Sequence, residues 1–335
     1  MVKDFSSLRK EVSINNSGKI FKESKISILR ECDYFIFNTP LDGDAPKQFI
    51  KAYFYTRDSE VRRKQPNTWI RYIAKTAEKW YPHESIVEFM INRIGQELGV
   101  LMNEVKLIKA NGQIRFLSQY FLKGDEKLVH GAEICGEHLG DVEMAAQIAK
   151  DKPTARELFT FEFIEEAIRA VYPQHCERLL LGLIKMITFD CLAGNNDRHF
   201  YNWGVIDNIK KGMECPRFAP LYDSARGLLW NYDDENIIKS ADQMFKGGKK
   251  IDNYIDTAEP RISIIAHKEI NHFDLIAFLK KDKKNEMLIN EMASIQNEER
   301  VIKMLKREFF PFFIKKRTYL VEYILRKRFE KTRRL

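Results

Sequence analysis

Cysteines are few in this sequence and follow no pattern. The five thiols, Cys32, Cys135, Cys176, Cys191 and Cys215, are odd in number and scattered, with no Cys-x-x-Cys. Disulfide frameworks and zinc ribbons need paired spacings, so the expectation is reduced thiols in a cytoplasmic protein. Cys135 and His138 form an isolated Cys-x-x-His with no second pair nearby, which reads as a surface loop and not a metal site. Long apolar runs are also missing. The longest, Leu179 to Phe189, is broken by Lys185 and falls short of the roughly 20 residues that cross a bilayer. It predicts a buried helix. Met1-Val2-Lys3-Asp4-Phe5 lacks the apolar stretch of a secretory leader, and neither an internal repeat nor a low-complexity linker is present.

A basic excess is missing from most of the chain. The net charge is +8, yet Lys315 to Leu335 alone holds nine basic residues against two acidic ones. The rest is close to neutral, so this is a basic tail and not a basic protein. A solvated helix face is the simpler reading of that tail. Phe312, Phe313, Tyr319, Tyr323, Ile324 and Phe329 are interleaved with the charges and imply that part of it packs. An anionic partner for residues 315–335 (nucleic acid, membrane surface or acidic protein) is the sharper reading. With 44% hydrophobic and 31% charged residues the chain is globular, long enough for one large core or two lobes.

The periodicities divide it near residue 122. Residues 1 to about 30 form an extension without clear periodicity. Period-two runs then predict strands at Tyr34–Phe37, Phe49–Tyr55 and Trp69–Lys75. Ile86, Met90, Ile91, Ile94 and Leu98 recur at helical spacing over Glu84–Leu98, with Gly99 at the cap position. Val105–Ile108 and Ile114–Leu117 flank Asn111-Gly112, a hairpin signal because both turn residues accept φ > 0. Beyond Phe121 the pattern predicts helices over Glu157–Val171, Cys176–Ala193, Phe273–Lys281, Asn285–Glu308 and Thr318–Lys331, a short strand pair at Trp203–Ile206 and Arg217–Leu221, and irregular structure over 225–265. The expected domains are a β-rich lobe at 1–122 and a helical lobe at 123–335.

The most informative run is Gly194-Asn195-Asn196-Asp197-Arg198-His199, with Asn202 behind it and Leu221-Tyr222-Asp223 downstream. An Asp-x4-Asn followed by a second Asp supplies what phosphoryl transfer needs: a carboxylate for the acceptor hydroxyl, and an amide and a carboxylate to hold Mg²⁺ on the phosphates. Lys75 ends an apolar strand and Glu88 lies in the following helix, the order needed for a phosphate-binding lysine and its orienting carboxylate. Glu84 shares that helix face and could substitute.

Together Tyr72-Ile73-Ala74-Lys75, Val87-Glu88-Phe89 with Leu98-Gly99-Val100, the Gly194–His199 run with Asn202, and Leu221-Tyr222-Asp223 resemble the HipA-like serine/threonine kinases, over about residues 40 to 230. The resemblance implies an α+β, two-lobed protein-kinase-like fold and an ATP- and Mg²⁺-dependent kinase acting on a protein serine or threonine. It implies Asp197 as base, Asn202 and Asp223 as Mg²⁺ ligands, Lys75 on the phosphates and Glu88 orienting it. His199 follows Asp197 in the family's Asp-x-His order and reads as a packed loop histidine. The family's phosphate loop corresponds to Asp42-Gly43-Asp44-Ala45-Pro46-Lys47, which has one glycine and two carboxylates that must point away. Position alone suggests that backbone groups of Gln119, Tyr120 and Phe121 meet the adenine.

The additional N-terminal domain of HipA itself has no room ahead of these lobes, so partnership with a DNA-binding antitoxin does not carry over. Ser224-Ala225-Arg226-Gly227 departs from the Phe-Gly of ordinary kinases. Ser59, Thr68 and Ser240 are hydroxyls in expected loops. A lipid or small-molecule kinase with the same core and a pseudokinase that only binds are the alternatives.

Overall fold

The computed structural model describes residues 8–10, 15–37, 47–55, 60–77, 79–209 and 215–335. It opens with two short strands, β1 (Asn15–Asn16) and β2 (Ser27–Ile28), followed by β3 (Tyr34–Phe37), β4 (Lys47–Ala52), β5 (Ile70–Lys75) and β6 (Trp80–Tyr81). Helix α1 (His83–Glu97) then precedes the hairpin of β7 (Val105–Ala110) and β8 (Gln113–Gln119). Its turn uses Asn111 at φ 47° and Gly112 at φ 72°, as the Asn-Gly signal predicts. Six strands form one curled sheet in the order β2-β7-β8-β5-β4-β3, antiparallel except for β2 on β7.

Alternation in these strands gives the sheet two buried faces. Tyr72 and Ala74 of β5 join Ile50, Ala52, Ile108, Ala110 and Leu117 in a small core closed by Leu8, Leu29 and Tyr34. The opposite face, which carries Lys75, packs on α1 through Ile86, Met90, Ile91 and Ile94. Residues before 30 are therefore not a separate extension: β1 pairs with β6, and β2 with β7.

The second half is mostly helical. After β9 (Glu126–His130) come α2 (Gly131–Leu139), α3 (Val142–Lys150), α4 (Lys152–Leu158), α5 (Phe161–Val171) and α6 (Cys176–Ala193). Strands β10 (Gly204–Asn208) and β11 (Arg217–Phe218) follow, then α7 (Asp234–Phe245), α8 (Lys250–Asp256), α9 (His272–Leu279), α10 (Lys283–Met292), α11 (Ile295–Glu308) and α12 (Lys315–Arg334). Helix α6 matches its expected bounds and is buried over most of its circumference, because it runs through the centre of this lobe.

Several expectations need correction. Residues 225–265 hold two helices, α7 and α8. Asp233 caps α7 by accepting from the Asn236 N–H at 2.7 Å. Ser240, expected in a loop, is fully buried in α7. Ser59 lies outside the described residues. The helix expected over Glu157–Val171 breaks where Thr160 caps α5, and the one over Asn285–Glu308 breaks where Ser294 caps α11. Cys135 and His138 lie in α2, not in a surface loop.

Strand β9, unmarked in the sequence pattern, pairs with β10, and Gly204 stands opposite His130. A Cβ on Gly204 would sit 2.3 Å from the Val129 carbonyl oxygen, a backbone atom that cannot swing aside. Gly204→Ala is therefore expected to lower stability by about 1–3 kcal/mol in thermal unfolding. An unchanged melting temperature would contradict this strand pairing.

The basic tail is structural. Helix α12 packs on α6, α7, α8, α9, α10 and α11. Arg317 and Arg328 are fully buried within it. Arg317 bonds the Tyr232 carbonyl at 2.7 Å and pairs with Asp234 at 3.2 Å. Arg328 donates to the Cys191 and Ile255 carbonyls. Lys316 pairs with Asp242, Arg326 and Arg333 with Glu298, Lys331 with Asp256, and Lys327 and Arg334 with Glu330. Most of the charge that could attract an anion is met inside the chain.

Candidate active site

Gly194 ends α6 at φ 68°, a left-handed cap that a residue with a Cβ would strain. The turn releases the chain into the loop carrying Asp197 and Asn202. Arg198 holds this loop from beneath. Its Nε and Nη2 donate to the two Asp190 carboxylate oxygens at 2.9 and 3.0 Å. Its Nη1 donates to the carbonyls of Asn202 and Tyr222 at 3.1 and 2.7 Å, and Nη2 reaches Ser224 Oγ at 2.7 Å. Both ionic side chains are 4% exposed. One guanidinium thus ties the helix end, the Asp197–Asn202 loop and the Asp223 segment together.

The other lobe fixes Asp223. A bridge between Met102 and Leu221 is closed by the Leu221 N–H on the Leu101 carbonyl at 2.8 Å and the Asn103 N–H on the Leu221 carbonyl at 2.9 Å. Two residues later Asp223 takes φ 51°, sparsely populated except by Asn and Asp, and such positions concentrate at functional sites.

Between the lobes Lys75 Nζ donates to Glu88 Oε1 at 3.0 Å and to Asp223 Oδ1 at 2.9 Å. The pairing selects Glu88 over Glu84. Lys47 stands opposite Lys75 in the register of β4 and β5, so both side chains leave the same face. Lys75 holds the Asp223 carboxyl down at about 2 against its burial, with Lys47 and His199 contributing. Burial works against the Lys75 charge, but Asp223 and Glu88 outweigh it and its pKa is raised. Glu88 shares that lysine with a second carboxylate, and burial pushes it up to about 7.

Between about 4.3, the ordinary glutamate value, and 7 the folded protein binds more protons at Glu88 than the unfolded chain does. The contribution of this carboxyl to stability is full below that window and is lost as pH rises through it. Thermal unfolding of wild type and Glu88→Gln from pH 5 to 8.5 should show the variant gaining relative to wild type as pH rises. A constant difference would contradict the shift.

The Asp197 side chain is 16% exposed and meets two arginines. Arg226 Nε meets its Oδ2 at 3.0 Å and Arg261 Nη2 its Oδ1 at 2.5 Å. The Asn202 side-chain amide donates to the Asp197 carbonyl at 3.1 Å. His199 Nδ1 accepts from the Tyr201 N–H at 3.3 Å, and burial lowers the His199 pKa. With its nitrogen spent on Asp197, Asn202 keeps Oδ1 without a partner among the described residues, and Asp223 likewise keeps Oδ2. An amide oxygen and a carboxylate oxygen suit Mg²⁺, which takes one or two protein ligands and completes its shell with phosphate and water. The residues fit such an ion.

At the lobe junction the Gln119 N–H already donates to the Glu104 carbonyl at 2.8 Å, and the Tyr120 N–H to the Arg71 carbonyl at 2.9 Å. The Gln119 carbonyl accepts from Asn103 at 2.8 Å. The Phe121 N–H and the Tyr120 carbonyl remain without partners among the described residues. The Phe121 ring lies 5.8 Å from that of Tyr222. Of the expected phosphate loop only Lys47 is described; Gly43, Asp44 and Ala45 lie outside the described residues.

Sequence reasoning missed Asp190, Arg198, Arg226 and Arg261. Asp190 left a signal, being an acid near the end of an otherwise apolar helix. Arg226 and Arg261 left none, because only the fold brings them to Asp197.

The solved structure of the Helicobacter pylori proinflammatory kinase CtkA matches with a TM-score of 0.64 at 15% identity, covering 85% of this chain and 93% of that one. Shewanella oneidensis HipA, solved with HipB and operator DNA, matches at 0.48 and 12% identity, covering 89% of this chain and 66% of that one. No curated protein matches. The likeness to CtkA shows a kinase-like fold, a curled sheet lobe on a mostly helical one. The family model of the HipA-like C-terminal domain matches residues 39–299, most of the chain. The chain belongs to the HipA-like C-terminal domain family.

Proposed function

We propose that the chain transfers the γ-phosphoryl group of ATP to a serine or threonine hydroxyl of a protein. The observation that carries this reading is Lys75, bonded at once to Glu88 and Asp223, with Arg198 tying the Asp223 segment to the Asp197–Asn202 loop. Lys75 and Lys47 face the phosphates. Asn202 and Asp223 hold Mg²⁺, which when bound offsets charge on the phosphate oxygens. Asp197 orients the acceptor hydroxyl and takes its proton. The Tyr120 carbonyl and the Phe121 N–H meet the adenine edge, and Gln119 supports them through its own spent hydrogen bonds.

Lipid chemistry on the same core drew support from the basic tail. Its charges are now largely paired within the chain, so a protein acceptor is the stronger reading. No helix among the described residues is long and apolar enough to cross a membrane. A cytoplasmic location is part of the proposal and rests on the unpaired cysteines.

The test is incubation with γ-labelled ATP, Mg²⁺ and a cell lysate. Label in phosphoserine or phosphothreonine is expected. Label extracted into the lipid fraction would move the acceptor class, and no label anywhere would contradict the kinase reading.

A further inference from the structure

We propose that Arg226 and Arg261 are catalytic residues that neutralise the phosphoryl group during transfer; this rests on the kinase reading above. Phosphoryl transfer spreads negative charge over three equatorial oxygens, and cationic donors aimed there are among the largest contributors to its rate. Few side chains in this site can serve. Arg198, next to the base, directs its guanidinium inward to Asp190, Asn202, Tyr222 and Ser224. Lys75, placed with Lys47 on the ATP phosphates, is engaged with Glu88 and Asp223. His199 turns its Nδ1 to the Tyr201 N–H at 3.3 Å.

Arg226 and Arg261 differ from all three. They come from separate segments, one just after Asp223 and one between α8 and α9, and each takes a different oxygen of Asp197. Their donors are largely unspent. The Arg261 Nε is buried with no partner among the described residues, and its only described hydrogen bond is to Asp197. Such an orphaned donor is costly unless a ligand satisfies it. Arg226 lies over Trp230, its guanidinium carbon 5.1 Å from the ring centroid, a contact that helps hold it beside Asp197.

Distance arithmetic places these forks at the reacting atoms. A hydroxyl bonded to Asp197 puts its oxygen roughly 2.7 Å from the carboxylate. The phosphorus in a near-attack arrangement lies about 3–3.5 Å beyond. Guanidiniums already touching that carboxylate are within a small rotation of the phosphoryl oxygens. In the step, the acceptor oxygen forms a bond to the γ-phosphorus while the bond from that phosphorus to the β,γ-bridging oxygen breaks. The electron pair leaves with the bridging oxygen on ADP, and the hydroxyl proton passes to Asp197. Arg226 and Arg261 exchange contacts with the carboxylate for contacts with the phosphoryl oxygens. Bidentate forks suit that exchange better than point charges do.

Calorimetric binding of MgADP, with and without aluminium fluoride, tests this without a known acceptor. Wild type is expected to bind MgADP with fluoride at least ten-fold more tightly than MgADP alone. Arg261→Gln and Arg226→Gln are each expected to lose ten-fold or more of that gain, with MgADP affinity changed less than two-fold. Arg261→Lys should recover part of it, which also guards against a folding defect in the glutamine variant. A gain that survives in both glutamine variants, that increases in them, or that is missing from a wild type that binds MgADP would overturn the assignment of the arginines alone. Failure of wild type to bind MgADP or MgATP would overturn the kinase reading beneath it.

Discussion

Asp223→Ala is expected to remove the Mg²⁺ dependence of ATP binding and to reduce phosphoryl transfer by at least 10³-fold. The carboxylate has two duties in the geometry. Its Oδ1 holds Lys75 at 2.9 Å, and in the proposed site its Oδ2 takes the cation together with Asn202 Oδ1. Removing it takes away one of the two proposed protein ligands for Mg²⁺ and one of the two anchors of Lys75. Both effects act on the transition state as well as on the bound nucleotide. Lys75 keeps Glu88 at 3.0 Å, so the cleft should stay assembled. Asp223 is also partly exposed, with 42% of its side chain accessible, and its loss opens no cavity in the core. The measurement is ATP titration with Mg²⁺ and with EDTA, beside thermal unfolding. A variant that binds MgATP like wild type would remove Asp223 from the proposed metal site.

The second large effect concerns stability. Asp190→Ala is expected to cost roughly 3–5 kcal/mol, because Arg198 would keep its charge at 4% exposure with its carboxylate gone. For a chain of this size that is a fall of the order of 4–7 °C in melting temperature. The loss should not stay local. Arg198 also supports the Asn202 and Tyr222 carbonyls and Ser224, so both strands of the site would loosen with it. Asp190→Asn, which keeps the shape and the hydrogen-bond acceptor, should fall between. If Asp190→Ala melted within 2 °C of wild type, the buried pair would not be the fastening inferred from its geometry.

What could be read from the chain depended on how far apart the interacting residues lie. Helix α6 was legible to the residue because a long apolar stretch, broken by Lys185 between Leu179 and Phe189, ends at Gly194, which stops it. The β7–β8 hairpin was legible because Asn111-Gly112 is a local signal with a local cause. Helix α7 was not, since its buried stripe is only Ile237, Ser240 and Ala241, too thin to set a period among charged neighbours. Two glycines hid α2, where Gly131 admits the Trp203 ring. In α12, Arg317 and Arg328 occupy the register of Leu320, Val321 and Ile324, a pattern that marks them as buried once the helix face is drawn. Of the site, Lys75, Glu88, Asp197, Asn202 and Asp223 were visible as an ordered set; the structure joins Lys75 with Glu88 and Asp223, and Asp197 with Asn202. Arg261 lies 64 residues from Asp197 with no motif around it, so its contact exists only in three dimensions.

In the proposed reaction Asp197 serves chemistry and not binding. The most direct test is transfer of label from Mg·[γ-³²P]ATP by wild type and by Asp197→Ala, with ATP affinity measured on both. The structure predicts transfer by wild type, a loss of 10²-fold or more in the variant, and ATP affinity within a few fold of wild type. Equal transfer by the two proteins, or none by a wild type that binds MgATP, would contradict it.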